Sequence, residues 1–458
     1  MKKCSILFLF GAAPALFAAL DPGAYQNEEL DSLALNQSDA DSAWTFNNVT
    51  FANTGNVNFN NTSAAAYNVE LYGTSTNLSQ INFSRNAGDT TFSIQGSSEK
   101  RSSVAITGGE WKTYVNSSKT EGSTNTSKLA LGGYADFSAN TFCMASDAGF
   151  VAGTSITDIS GASNTFAISG NTFINNAAAS EASKTVNFYF NISGAEGAKS
   201  TATFGNSFTV RAGGTGDVQV NMKGNAEMTV ANEFNLARDA NNGKATFTMS
   251  GQNNKLTASS TGHKFFIGAN ATGGVAEFVI DGKNNALDIA GNAYLGTDQS
   301  GSAASIMKIR GTGHDINFNA GFTVREKGAT DSATLIFAAD ADGTSTLNAN
   351  SITFNSGDLV IDFTDFVGNE SGVYEQALIS AAGNWSGGAA RFVGTMAEGT
   401  SAADVRMGEN GLDWEIFYED NALKFTYIYN YTPIPEPSTC AAIFGAMALA
   451  FAAYRRRK

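Results

Sequence analysis

The chain has 458 residues, enough for two to four ordinary domains or one elongated repeat array. Only 15 % of its residues are charged, and 48 Gly and 33 Phe stand against 9 Met, which excludes a coiled coil or helical bundle built on Ala, Glu, Lys and Leu. A net charge of -14 excludes a sequence-independent nucleic-acid binder, because such proteins neutralise phosphates with clustered Lys and Arg. The charge is unevenly placed. Lys2, Lys3, Arg455, Arg456, Arg457 and Lys458 hold six of the 28 basic residues, and of the acidic ones only Glu436 lies in the tail, so residues 4–434 carry -19.

At the start, Lys2 and Lys3 precede an apolar run from Ile6 to Leu20 that ends in small residues around Ala18 and Ala19. Charged start, apolar middle and small residues before a cut are the parts of a secretory signal. Residues 1–20 are therefore expected to be a signal peptide read by the Sec translocon, with the mature chain starting near Leu20 or Asp21. Cys4 and Cys440 lie in the apolar ends and Cys143 stands alone in the body. It is expected to pack as a buried structural thiol, since no Cys-x-x-Cys or Cys/His metal spacing exists.

The body is expected to be all-β: an elongated parallel β-helix, or β-solenoid, over residues 21–355. Alternating apolar residues close on a glycine at Gly194, Gly224, Gly251, Gly282 and Gly311, with a further copy ending at Asp340. After each anchor come a second apolar patch (Leu256, Leu287, Ile316) and a third (Phe265 with Ile267, Leu295, Val324). A unit of about 27–31 residues with three period-2 patches reads as one solenoid coil of three short strands. Gly23 to Thr432 contains no proline, as expected if every strand N–H is a ladder donor. The competing reading is a pair of β-sandwich domains. Residues 45–170 repeat the chemistry less regularly, at Gly73, Gly96, Gly108 and Gly170. From about 356 the periodicity stops, and residues 356–431 read as a C-terminal β cap that ends in a hairpin, Trp414–Tyr418 and Leu423–Tyr429 around Asp420 and Asn421.

The body offers few groups for chemistry. A β-helical carbohydrate-active enzyme, a lyase or glycosidase, is the alternative reading, and it needs two carboxylates in one cleft. Asp281 and Asp288, with Lys308 and Arg310 one coil on, are the candidates. Asp281 and Arg310 each precede an anchor glycine, so stacking predicts a surface ion pair between them instead. His263 and His314 read as solvated loop residues with no third metal ligand nearby. Asp340-Ala341-Asp342-Gly343 reads as a turn lacking the further ligands Ca²⁺ needs. Gly213 to Asp217 misses a calcium-binding nonapeptide by one position. No phosphate loop, nucleophile elbow or dinucleotide fingerprint is present, so neither catalytic residues, metal nor cofactor is expected. Exposed Asn, Thr and Ser ladders could bind glycans along one face, and Asn48, Asn77, Asn116 and Asn191 open Asn-x-Ser/Thr sites.

After Tyr431 the chain changes. Pro433, Pro435, Glu436 and Pro437 lead into an apolar run, Cys440 to Ala453, then Tyr454 and Arg455, Arg456, Arg457 and Lys458. Proline at alternate positions forces an extended strip. The run of about 15 residues would span ~22 Å as a helix against a ~30 Å bilayer core, so it is a short anchor, with the basic tip held on the cytoplasmic side. Residues 432–458 resemble a PEP-CTERM sorting signal: Pro435-Glu436-Pro437, a transmembrane helix over 440–454, and the cluster Arg455, Arg456 and Arg457. The resemblance implies recognition by a membrane-embedded exosortase, cutting near the motif, and transfer of the body to the cell envelope, often in bacteria that make exopolysaccharide. The body resembles, by composition, the autotransporter-type β-strand repeat proteins found on such chains. Together these readings imply an exported surface or matrix protein with a structural or adhesive role, whose partners are the exosortase and envelope glycans.

Overall fold

The computed structural model describes residues 19–429 except 37–38, 53–54, 60–64, 84–87, 116–124, 147–151, 176–184, 214–215, 242, 269–272, 297–302, 329, 363–371, 382–384, 387–402, 407–412 and 420–421. Pro435, Glu436, Pro437, Arg455, Arg456, Arg457, the expected helix 440–454 and most of the expected signal peptide lie outside these residues. Among the described residues no helix is long and apolar enough to cross a membrane.

The described chain is all-β and folds as a parallel β-solenoid. Three ladders run along it. The first is a 14-stranded parallel sheet from Gly23–Gln26 to Ala403–Arg406 in chain order. The second joins short strands such as Lys255–Ala258 and Ala286–Ile289, and the third joins Phe265–Ile267 and Ala293–Leu295. Each pairing in the parallel part links one coil to the next. The second and third ladders fuse where a single strand serves both, as in Ser102–Val115, Ala135–Ser146 and Asp315–Val324.

The repeat follows from period-2 side-chain alternation. Lys244–Ser250 and Ala304–Arg310 bury every second residue, leaving Thr246, Thr248, Ile306 and Lys308 on the outer face. Phe247 sits in register with Phe278, then Met307, then Leu335, at offsets of 31, 29 and 28 residues. The second patches align as Leu256, Leu287 and Ile316, and the third as Ile267, Leu295 and Val324. One copy departs from the sequence reading: Arg310 pairs with Ala338, so Ala339 takes the anchor position and Asp340 falls one residue beyond it, in its own turn. In the irregular region, Gly73 and Gly96 follow first-ladder strands, whereas Gly108 lies inside Ser102–Val115 and Gly170 follows a second-ladder strand.

No single coil can bury these residues alone, so stability comes from columns that stack along the axis. In the third ladder Phe208, Phe234 and Phe265 are buried and stack face to face, with centroids 5.8 and 4.4 Å apart. The next residue in that column is Ala293, and Phe278 of the first ladder leans edge-on against Phe265 at 5.7 Å. The small Ala293 ends the run of rings in that column, and Phe278 from the neighbouring ladder packs beside its last ring. Cys143 is a buried thiol on Ala135–Ser146, as expected.

The far end changes its pairing. The first ladder continues through Asp358–Asp362 and Ala403–Arg406, past the point where sequence periodicity stops. Gly372–Ala381 extends the second ladder and also pairs antiparallel with Ala422–Tyr429, which pairs antiparallel with Asp413–Glu419. The expected terminal hairpin is this last pair, with its turn at 420–421 outside the described residues. At the opposite end, Leu20 is already part of the body: its N–H donates to the Ala34 carbonyl at 2.7 Å, and its own carbonyl accepts from Trp44 Nε1 at 3.0 Å.

Candidate functional site

Two sets of polar side chains are organised by the coils, one inside and one outside. The inner set lies where the first ladder turns into the second. In four coils this corner follows one pattern: a glycine, any residue, a residue of positive φ, then a buried polar residue. The four run Gly161 to Asn164, Gly251 to Asn254, Gly282 to Asn285 and Gly311 to His314, with Ser163, Asn253, Asn284 and Gly313 at φ of 55 to 75°. Gly282 itself has φ of 100°, and a Cβ there would fall on the Gly251 carbonyl oxygen, so only glycine fits.

The buried polar residues form a file along the axis. Asn254 Nδ2 donates to the Ser250 carbonyl at 2.7 Å, and Asn285 Oδ1 accepts the Asn254 N–H at 3.0 Å. Asn285 Nδ2 donates to the Asp281 carbonyl at 2.8 Å, and the Asn285 N–H donates to His314 Nδ1 at 3.2 Å. His314 Nε2 donates to the Arg310 carbonyl at 2.8 Å, and the His314 N–H donates to Ser345 Oγ at 3.0 Å. Asn285 and His314 thus each satisfy a corner carbonyl of their own coil and a backbone N–H of the preceding one, two groups that would otherwise be buried unpaired, whereas of such backbone groups Asn254 serves its own coil's carbonyl alone. His314 is 8 % exposed, and burial pushes its pKa below the ordinary histidine value. The expectation of a solvated loop residue is therefore corrected for His314, whose position between two coils sequence spacing alone did not reveal. His263 is exposed, as expected.

The outer set lies at the next corner, between the second and third ladders. Asn317, Asn319, Asn348, Asn350 and Ser380, from three consecutive coils, line a shallow trough floored by Phe318 and Ala349. Asn348 Nδ2 donates to Asn317 Oδ1 at 3.2 Å, Asn317 Nδ2 to Asp315 Oδ1 at 2.7 Å, and Asn319 Nδ2 to Asp288 Oδ1 at 2.6 Å. Asn319, Asn348 and Asn350 are exposed. Asparagine is a poor strand former, so four of them in adjacent strands are not explained by backbone preference. The same edge carries a second groove in earlier coils, lined by Thr107, Ser138, Asn140, Ser169 and Thr203.

The acid and base candidates are separated. Asp281 pairs with Arg310 at 3.7 Å on the surface, and Asp288 is held by Asn319 on the second ladder. Lys308 lies on the outer face of the first ladder. Asp340 Oδ1 accepts the N–H groups of Asp342 and Gly343 at 2.8 and 3.1 Å, which makes the segment a turn, and Asp342 pairs with Lys283 at 2.9 Å. Among the described residues no group of three His, Cys, Asp or Glu is placed to hold a metal. Other displaced carboxyl pKa values have local causes: Arg101 hydrogen-bonds Asp136 and lowers it, and burial raises Glu326.

The inner file has a sequence signature that period-2 reading passes over, a polar residue three after the anchor glycine in Gly-Gln-Asn-Asn, Gly-Lys-Asn-Asn and Gly-Thr-Gly-His. No family model, curated protein or solved structure matches the chain.

Proposed function

We propose that this protein is an exported, elongated structural or adhesive component of the cell envelope or its matrix, sorted through Pro435, Glu436, Pro437 and the basic cluster Arg455, Arg456 and Arg457. The observation that supports an adhesive role most directly is the amide trough. Its lining of amides and a hydroxyl offers donors and acceptors about 4.8 Å apart along the axis, the spacing of adjacent strands. An uncharged array of that kind suits a hydroxyl-rich glycan better than an anionic polymer, since the body carries -19. Multivalent contact along one edge would make weak single contacts additive.

Two experiments test the reading separately. Intact-mass analysis of protein from the envelope and medium of a host with an exosortase is expected to find a body ending near Pro437, and replacing Pro435, Glu436 and Pro437 with Ala is expected to leave an uncut membrane precursor. Unchanged processing would sink the sorting claim. For adhesion, Asn348→Leu with Asn350→Leu is expected to weaken retention on an immobilised neutral polysaccharide; retention equal to wild type would remove the trough from the proposal.

A further inference from the structure

The inner file contains one member able to change its hydrogen-bonding role at mild pH. Asn164 and Asn285 present an acceptor to the preceding coil and a donor to their own, and neither amide titrates in this range. His314 does the same work only as a neutral ring, with Nδ1 bare toward the Asn285 N–H and Nε2 protonated toward the Arg310 carbonyl. A second proton would set donor against donor at Asn285.

We propose that His314 is an acid-sensitive joint in the solenoid, at which protonation breaks the corner file between the coil of Asn285 and the coil of His314 itself. The surroundings work in both directions. Asp281, Lys283 and Asp288 belong to the preceding coil, Arg310 and Asp315 to its own, and Asp340 and Asp342 to the following one. Asp281 and Asp340 favour the imidazolium, but Asp281 is engaged by Arg310, Asp340 by its own turn, and Asp342 by Lys283. Burial of the ring outweighs them, which agrees with its lowered pKa. The ordered consequence is loss of one inter-coil hydrogen bond at Asn285, followed by looser packing of the corner around Gly282 and Gly311.

The chain has two histidines, so the test subtracts cleanly. Hydrogen exchange of the full-length protein near neutrality and at about pH 5 is expected to show protection around Asn285 falling by on the order of tenfold in wild type, the effect of one lost buried hydrogen bond. His314→Asn, which copies the partners used at positions 164 and 285, is expected to hold its protection, while His263→Asn behaves as wild type. Equal loss in His314→Asn, or no loss in wild type, overturns the proposal. Should His314→Asn fold poorly, the two histidine ring-proton resonances of wild type decide it: the resonance that persists in His263→Asn must titrate below the ordinary histidine value, and one at or above that value overturns it.

Discussion

Between Phe190 and Leu335 successive inner positions of the first ladder lie 27 to 31 residues apart, whereas between Trp44 and Phe190 the same step ranges from 23 to 37. Both regions nevertheless feed the same three ladders. In most coils of the regular region the second and third ladders are separate strands, such as Lys255–Ala258 and Phe265–Ile267 with a turn between them, although Asp315–Val324 serves both. In the irregular one Ser102–Val115 and Ala135–Ser146 run through the corner as single strands, with register shifts at the bend. Regular spacing in sequence is therefore a property of connection length. The solenoid itself depends on unbroken inner columns, and those tolerate connections of variable length because loop closure costs little more as a loop grows.

The largest effects should come from the columns. Phe234→Ala removes a ring packed against Phe208, Phe247 and Phe265 and is expected to cost about 3–5 kcal/mol by denaturant titration. Trp111→Ala, in the irregular region against Phe92 and Phe137, is expected to cost a similar amount. A loss below about 1 kcal/mol at Trp111 would show that the two regions are not energetically equivalent.

Corners separate the regions more sharply. Gly282→Ala is expected to cost about 1–3 kcal/mol or more, because the conformation is strained for an L-residue and the Cβ meets a carbonyl. Gly108→Ala, where a Cβ would lie 3.6 Å from the Ser79 carbonyl in ordinary contact, is expected to be within about 0.5 kcal/mol of wild type in thermal melts. Asn164→Leu leaves the Gly133 and Ala135 N–H groups without their acceptor and should cost about 1–3 kcal/mol.

Mild acid tests the regular region through His314. His314 has a folded-state pKa below its unfolded value, so its contribution is level above about pH 6.5 and declines as pH falls from there through the lower folded value. Melts of wild type and His314→Asn should diverge over that window and coincide above it. A small effect is also expected from Arg310→Ala: its pair with Asp281 is about two-fifths exposed on each side, so the loss should be under about 1 kcal/mol and shrink with added salt.

Legibility followed physical regularity. Phe247, Phe278, Leu256, Leu287, Ile267 and Leu295 stood at spacings of 28 to 31 residues, and their registers could be read from the chain. The corner file could not, because a buried Asn or His looks like a turn residue until the next coil lies against it. The amide trough was foreseen only as exposed polar ladders; which asparagines meet depends on the bend after Phe318, where the ladder shifts register.

Composition, the absence of proline between residues 23 and 432, and period-2 alternation settled that the body is a stack of strands, since each acts within one coil. Only the tertiary structure decided that Arg310 pairs with Ala338, that His314 is buried between Asn285 and Ser345, and that Gly372–Ala381 turns to antiparallel pairing. Those are contacts between coils, fixed by how far each connection carries the chain before the next strand docks, and alternation within a strand holds no record of that distance.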